Sequence, residues 1–133
     1  MSADRPASPT TLGLRTVIYQ VSDLAHARAW YTRAFGVAPY FDEPFYVGFQ
    51  VGGFELGLDP DCSRVRPGVG GGAAYWGVAD LDLAHGAFVT SGATEIEAPH
   101  DVGGGIRVAV VADPFGNAIG LIQNPHFTTR DVA

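Results

Sequence analysis

Side chains from Leu14 to Val21 alternate, with Val17, Tyr19 and Val21 on one side and Thr16, Ile18 and Gln20 on the other, which predicts a strand. The period then changes. Asp23 is a predicted N-cap, because its carboxylate can accept from free amides of the next turn. Leu24, Ala27, Trp30, Tyr31, Ala34 and Phe35 follow at helical spacing, and Gly36 suits the left-handed position after a helix. Val37–Phe41, Phe45–Val51 and Phe54–Leu58 read as three further strands, punctuated by Asp42-Glu43-Pro44 and Gly52-Gly53. The same order then recurs. Ala73–Ala79 reads as a strand, and Asp80 caps a helix through Leu81, Ala84, Ala87 and Phe88 that ends at Gly92. Ala93–Glu97 is a short strand. Ile106–Ala112 and Ala118–Gln123 form a hairpin around Asp113-Pro114-Phe115-Gly116-Asn117, where Pro114 presets φ and Gly116 or Asn117 can take a positive φ.

The recurrence is visible residue by residue. Val21-Ser22-Asp23-Leu24 returns 57 residues later as Val78-Ala79-Asp80-Leu81. At that offset Ala27 matches Ala84 and Tyr31 matches Phe88, and Gly36 matches Gly92 with one residue of slippage. The period is too long for the common solenoid repeats. It predicts an α+β fold of two tandem βαβββ modules, residues 12–58 and 73–125. Residues 59–72 form the linker between them, residues 1–11 a disordered tail and residues 126–133 a C-terminal tail. One helix covers one face of each sheet. The other face must be covered by a second copy or must line a cavity.

Composition narrows the function. A net charge of −6 argues against nucleic acid, whose phosphates call for clustered Lys and Arg. Cys62 is the only cysteine, so neither an internal disulfide nor a thiolate zinc cluster can form. No apolar run approaches the roughly 18 residues of a membrane span. The first ten residues hold Pro6 and Pro9 and no apolar h-region, so a secretory signal is not expected and the cytoplasm is the expected compartment. Gly70-Gly71-Gly72 and Gly103-Gly104-Gly105 precede strands and lack a following Lys-Ser/Thr. They read as turns or a lip rather than phosphate loops.

Glu55 is the sharpest chemical candidate. On a strand of Phe54, Leu56 and Leu58 it faces the other way, either into a cleft or into solvent. In a cleft it is a candidate base or an anchor for a cationic ligand group. Thr16, Gln20 and Tyr75 share the corresponding faces of their strands and offer hydroxyl and amide contacts, or simply pack. Arg107, on an otherwise apolar strand, can pair with Glu55, bind a ligand carboxylate, or sit exposed at a strand end. His26 and His85 fall off the apolar helix stripes and are expected in solvent, whereas His100 and His126 can rim the cleft. Tyr40, Phe41, Phe45, Tyr46 and Phe49 cluster on one hairpin, either as core or as walls for a flat ligand.

Val21-Ser22-Asp23-Leu24 with Trp30-Tyr31 through Phe35-Gly36, its repeat at Val78, and Asp113-Pro114-Phe115-Gly116-Asn117 followed by Ile119 together resemble the vicinal oxygen chelate superfamily, the glyoxalase/bleomycin-resistance/extradiol-dioxygenase family, over roughly residues 12–125. The resemblance implies modules whose sheets curl around a cleft, usually within a homodimer. Many members hold a divalent metal there, with ligands on the first and last strands of each module. Those positions fall here on Thr16, Ala73, Glu55 and Gly120. Ala73 and Gly120 have no donor side chain, and a catalytic metal usually needs about three protein ligands. The expectation is therefore a metal-free protein with no cofactor, binding a small aromatic or cationic molecule between the modules; the resemblance implies sequestration as one role, as in the family's drug-binding resistance proteins. The alternatives are a metal-independent enzyme with Glu55 as base, and a metal-dependent lyase, epimerase or dioxygenase with relocated ligands drawn from Glu55, His100, His126 or a dimer mate.

Overall fold

Capping divides the chain as its sequence predicts. Helix α1 spans Leu24–Phe35, with the Asp23 carboxylate accepting from the His26 amide at 3.0 Å and Gly36 in the left-handed region at φ 70°. Helix α2 spans Leu81–Thr90, with Asp80 accepting from the Leu83 amide at 3.1 Å and Gly92 at φ 111° just beyond its end. The structure, a computed structural model, describes residues 14, 16–63, 65–70 and 73–126. The expected N-terminal tail, Gly71, Gly72 and all of the C-terminal tail after His126 lie outside the described residues.

Each helix follows one strand and precedes three. The first module consists of β1 (Thr16–Gln20), α1, β2 (Phe41–Glu43), β3 (Tyr46–Val51) and β4 (Phe54–Asp59). The second consists of β5 (Ala74–Gly77), α2, β6 (Thr94–Gly103), β7 (Ile106–Ala112) and β8 (Ala118–Gln123). The sheets have matching orders, β1-β4-β3-β2 and β5-β8-β7-β6, with the first pair of each parallel and the rest antiparallel.

Two strands differ from expectation, both at sheet edges. Strand β2 begins at Phe41 rather than Val37, because Pro39 has no amide to donate and pairing with β3 starts only at Tyr40, whose amide bonds the Gly48 carbonyl at 2.9 Å, and continues through Phe41, Asp42 and Glu43. Asp42 and Glu43 are thus strand residues, and the turn is Pro44-Phe45. Strand β6 runs on to Gly103 instead of stopping at Glu97. Its register against β7 slips repeatedly, and Pro99 is tolerated because β6 is the outer strand. His100 accordingly lies in a strand, not in a loop. Gly103, Gly104 and Gly105 make the turn that follows, each at positive φ.

The modules share one core on their helix sides. Tyr31 stacks between Tyr19 and Phe35, with ring centres 5.8 and 5.7 Å away. Phe35 meets Trp76 and Phe88 of the second module edge-on at 5.2 and 5.5 Å. Trp30 contacts Phe88 and donates from Nε1 to the Ser91 carbonyl at 2.9 Å, closing α1 onto the end of α2. Phe49, Leu56, Leu58, Val111, Ile119 and Leu121 fill the space beneath, each fully buried side chain contributing about 1.5–3 kcal/mol.

A polar joint sits at the edge of this core. The Asp113 carboxylate accepts from the amides of Phe115 and Asn117, both at 2.8 Å, and from the Tyr31 hydroxyl at 2.7 Å. Asn117 donates from Nδ2 to Asp113 and to the Gln20 carbonyl, both at 2.9 Å, and accepts from the Gly68 amide at 3.0 Å. One turn of the second module therefore holds α1, the end of β1 and the connecting segment. Asn117→Ala removes three side-chain bonds at a buried site and should cost about 2–4 kcal/mol, whereas Tyr31→Phe, which leaves Asp113 its amide donors, should cost about 1–3 kcal/mol. Urea denaturation checks this: the midpoints should fall in that order with unchanged slope, and a Tyr31→Phe loss larger than that of Asn117→Ala would contradict the role of the joint.

Candidate functional site

Strand parity decides which side chains leave the core. On β4, Leu56 and Leu58 are buried under α1, so Glu55 and Gly57 point to the open face. Thr16 lies opposite Glu55 on β1 and Gln50 lies opposite it on β3. The Thr16 hydroxyl donates to Glu55 Oε1 at 3.2 Å, and the Tyr40 hydroxyl donates to Oε2 at 2.7 Å. Two glycines make this possible. A Cβ on Gly48 would lie 2.8 Å from Glu55 Oε2 and 3.1 Å from the Tyr40 ring, and a Cβ on Gly57 would overlap the Tyr46 hydroxyl. Tyr46 thus lies flat over Gly57, beside the same carboxylate. Thr16, Tyr40, Gln50, Gly53 and Glu55 line a depression of about 610 Å³ that opens to solvent.

Its electrostatic character is negative. Burial pushes the Tyr46 hydroxyl far above the ordinary tyrosine range, with the Glu55 charge as the next cause and Asp59 adding to it. The hydrogen bond to Glu55 is the main cause that raises Tyr40. Arg28 is held by Asp42, and among the described residues Glu55 has no ion-pair partner. Around it Tyr40 is 64% exposed and Phe45 66%, and Phe41 lies between Phe45 and Tyr46 with ring centres 6.0 and 6.1 Å away. The arrangement offers a carboxylate with free lone pairs, an amide and exposed ring faces. Those groups suit a flat molecule carrying a positive charge or N–H donors.

The expected site residues divide between two places. Thr16 and Glu55 meet. Gln20 is buried at the end of β1, where its backbone carbonyl accepts from Asn117, and it does not line the depression. Tyr75 is half-exposed on the open face of the other sheet, its ring covering Gly120 so closely that a Cβ there would lie 2.5 Å from it. Of the readings open to Arg107, the pairing with Glu55 does not occur. Arg107 shares parity with the buried Ala109 and Val111, so it faces α2, bonding Asp82 at 2.9 Å and Asp101 at 3.1 Å. His100 bonds its own strand at the Ala98 carbonyl, and His126 reaches the Gly104 carbonyl. His85, expected in solvent, is largely covered and lies 3.0 Å from Glu95. Gln50 and Gly53 had no signal strong enough to single them out; the alternation of Tyr46, Gly48 and Gln50 on one face is the pattern that marks them.

The sheet register also revises the internal match. Val17 pairs with Leu56, and its counterpart Ala74 pairs with Ile119. Glu55 therefore corresponds to Ala118, and Gly120 corresponds to Gly57 rather than to Glu55. The triplets Phe54-Glu55-Leu56 and Ile119-Gly120-Leu121 look alike, but hydrogen bonding sets them two residues apart. Each module thus carries a glycine at the centre of its last strand, and each glycine lies under a tyrosine ring.

A family model described as Glyoxalase/Bleomycin resistance protein/Dioxygenase superfamily matches residues 13–121. No curated protein matches the chain. Among solved structures, the chain is similar to a glyoxalase-related enzyme from Fulvimarina pelagi, at 22% identity over 86% of this chain and 90% of that one, with a TM-score of 0.73. It is also similar to a lactoylglutathione lyase from Agrobacterium tumefaciens, at 21% identity over 88% and 97%, with a TM-score of 0.69. A glyoxalase/bleomycin resistance protein/dioxygenase family enzyme from Burkholderia phytofirmans PsJN gives 20% identity over 81% and 95%, with a TM-score of 0.70. At these identities the likeness is one of fold.

Tyr19, Tyr31, Tyr40 and Tyr46 all have hydroxyls raised above the unfolded value of about 10. Their contribution to stability is complete below that pH and is lost as pH rises through the folded values, so the protein should become easier to unfold above about pH 10. Ultraviolet titration of tyrosinate checks the site itself: Glu55→Gln should move one exposed tyrosine, Tyr40, toward lower pH, and an unchanged titration would remove Glu55 as the cause.

Proposed function

Since the chain belongs to the Glyoxalase/Bleomycin resistance protein/Dioxygenase superfamily, we propose that it is a metal-independent binding protein for a small aromatic or cationic organic molecule, anchored at Glu55. The observation that carries this reading is the Glu55 carboxylate, hydrogen-bonded by Thr16 and Tyr40 in a depression that these residues line with Gln50 and Gly53, with no ion-pair partner among the described residues. Sequestration fits a site made of recognition groups: a charge, an amide and rings.

The donor set does not suit the divalent metal many members hold. Thr16 and Glu55 are adjacent, but a neutral hydroxyl and one carboxylate fall short of the roughly three ligands a catalytic metal needs. Ala73 brings no donor, nor does Ala118, the register counterpart of Glu55, and a side chain at Gly120 would meet the Tyr75 ring. No step is therefore assigned to a metal.

The proposed assembly is a homodimer. Ile18 and Tyr75, equivalent in the two modules, are 47% and 46% exposed on the edge strands β1 and β5, and a second copy of the chain is the simplest cover for both. No helix among the described residues is long and apolar enough to cross a membrane, and the cytoplasm is the compartment this reading assumes.

Metal analysis of untagged protein, thermal shifts with Ni, Zn, Mn and Fe(II), and calorimetry with aromatic cations test the proposal together. The expected result is no metal dependence, stoichiometric binding with the compound recovered unchanged, and at least about tenfold weaker binding of cations in Glu55→Gln. Stoichiometric metal with a metal-dependent melting shift, or chemical conversion of the bound compound, would overturn it.

A further inference from the structure

Tyr40 occupies the place on Glu55 that a ligand would need. Its hydroxyl bonds Oε2 at 2.7 Å, yet its ring is 64% exposed and rests on the bare backbone of Gly48. Little besides that bond and the glycine contact holds the ring down. Thr16, by contrast, reaches Oε1 with a short side chain from a neighbouring strand in fixed register, directly opposite Glu55. The two oxygens therefore differ: one is held by the sheet and one by a displaceable phenol.

We propose that Tyr40 is a built-in competitor for the Glu55 carboxylate, and that the ligand this site selects carries a protonated amine or amidine with N–H donors on a flat ring. On binding, the ligand's N–H takes Oε2, and the Tyr40 ring swings aside to flank the cation. The proposal rests on Glu55 as the ligand anchor. Its physical content is a fixed energetic toll: a ligand that takes the Oε2 lone pair occupied by the Tyr40 hydroxyl must first release Tyr40, so its apparent affinity is reduced by the fraction of molecules with Tyr40 disengaged. A cation without N–H donors sits near the charge without claiming that oxygen and does not meet the toll. Gly48 leaves room for both partners, since a Cβ there would lie 2.8 Å from Glu55 Oε2 and 3.1 Å from the Tyr40 ring.

Two probes of equal charge and similar ring size separate these cases: benzylammonium, which has N–H donors, and benzyltrimethylammonium, which has none. Tyr40→Phe keeps the ring and deletes the competing hydroxyl. Calorimetry should show benzylammonium binding about tenfold tighter to Tyr40→Phe than to the native protein, with benzyltrimethylammonium changed less than about twofold. If benzylammonium binds the native protein through Glu55 but no tighter to Tyr40→Phe, the competitor role is wrong and the anchor stands. Equal tightening of both probes would also overturn it, since it would mean that Tyr40 merely obstructs. If neither probe binds any variant, the reading of Glu55 as an anchor falls, and this proposal with it.

Discussion

The Asp113 carboxylate is the constraint on which this molecule depends. It holds two amides of its own turn and a tyrosine from the other module, while Asn117 beside it grips the end of β1 and the connecting segment. A buried charge is tolerated only where its lone pairs are taken, and here the donors come from both halves of the chain. The shared aromatic core, with Phe35 wedged between Trp76 and Phe88, is bordered by that turn through Tyr31. Because the modules meet on their helix sides, both sheets keep their other faces open, and Glu55 stands on one of them.

Legibility followed the range of the forces involved. The helices were readable to the residue at their starts, because Asp23 and Asp80 act within a single turn. Central strands were readable from alternation, because one face is buried. Edge strands β2 and β6 were not, because their ends depend on where a neighbour's hydrogen bonds run out, and Pro39 and Pro99 carry opposite meanings at two such edges. Parity gave the direction of Glu55 correctly. The same rule applied to Arg107 would have turned it toward α2, where Asp82 lies on the first turn.

The site was half visible. Thr16 and Glu55 could be placed on one face from their strands alone, and Tyr40 and Tyr46 could be seen as part of an aromatic group. That both phenols converge on one carboxylate depends on Gly48 and Gly57 leaving the sheet surface bare, a cross-strand relation with no local signature. The match between modules failed for a related reason. Similar triplets on β4 and β8 differ by two positions once their parallel partners are counted, and a shift of two preserves the face, so alternation gave no warning.

The paired tyrosine-over-glycine contacts constrain how this chain can change over generations. A carboxylate introduced at Gly57 or Gly120 meets a phenol ring already in its volume, so it is accepted only if Tyr46 or Tyr75 moves off the sheet or is lost. Losing the tyrosine first uncovers bare backbone on an open face, and that intermediate carries a defect with no compensating gain. Each module would have to cross such a valley separately. The lineage is thereby channelled away from central carboxylates and toward variation at the rim, where Phe41, Phe45 and Gln50 can be exchanged one at a time.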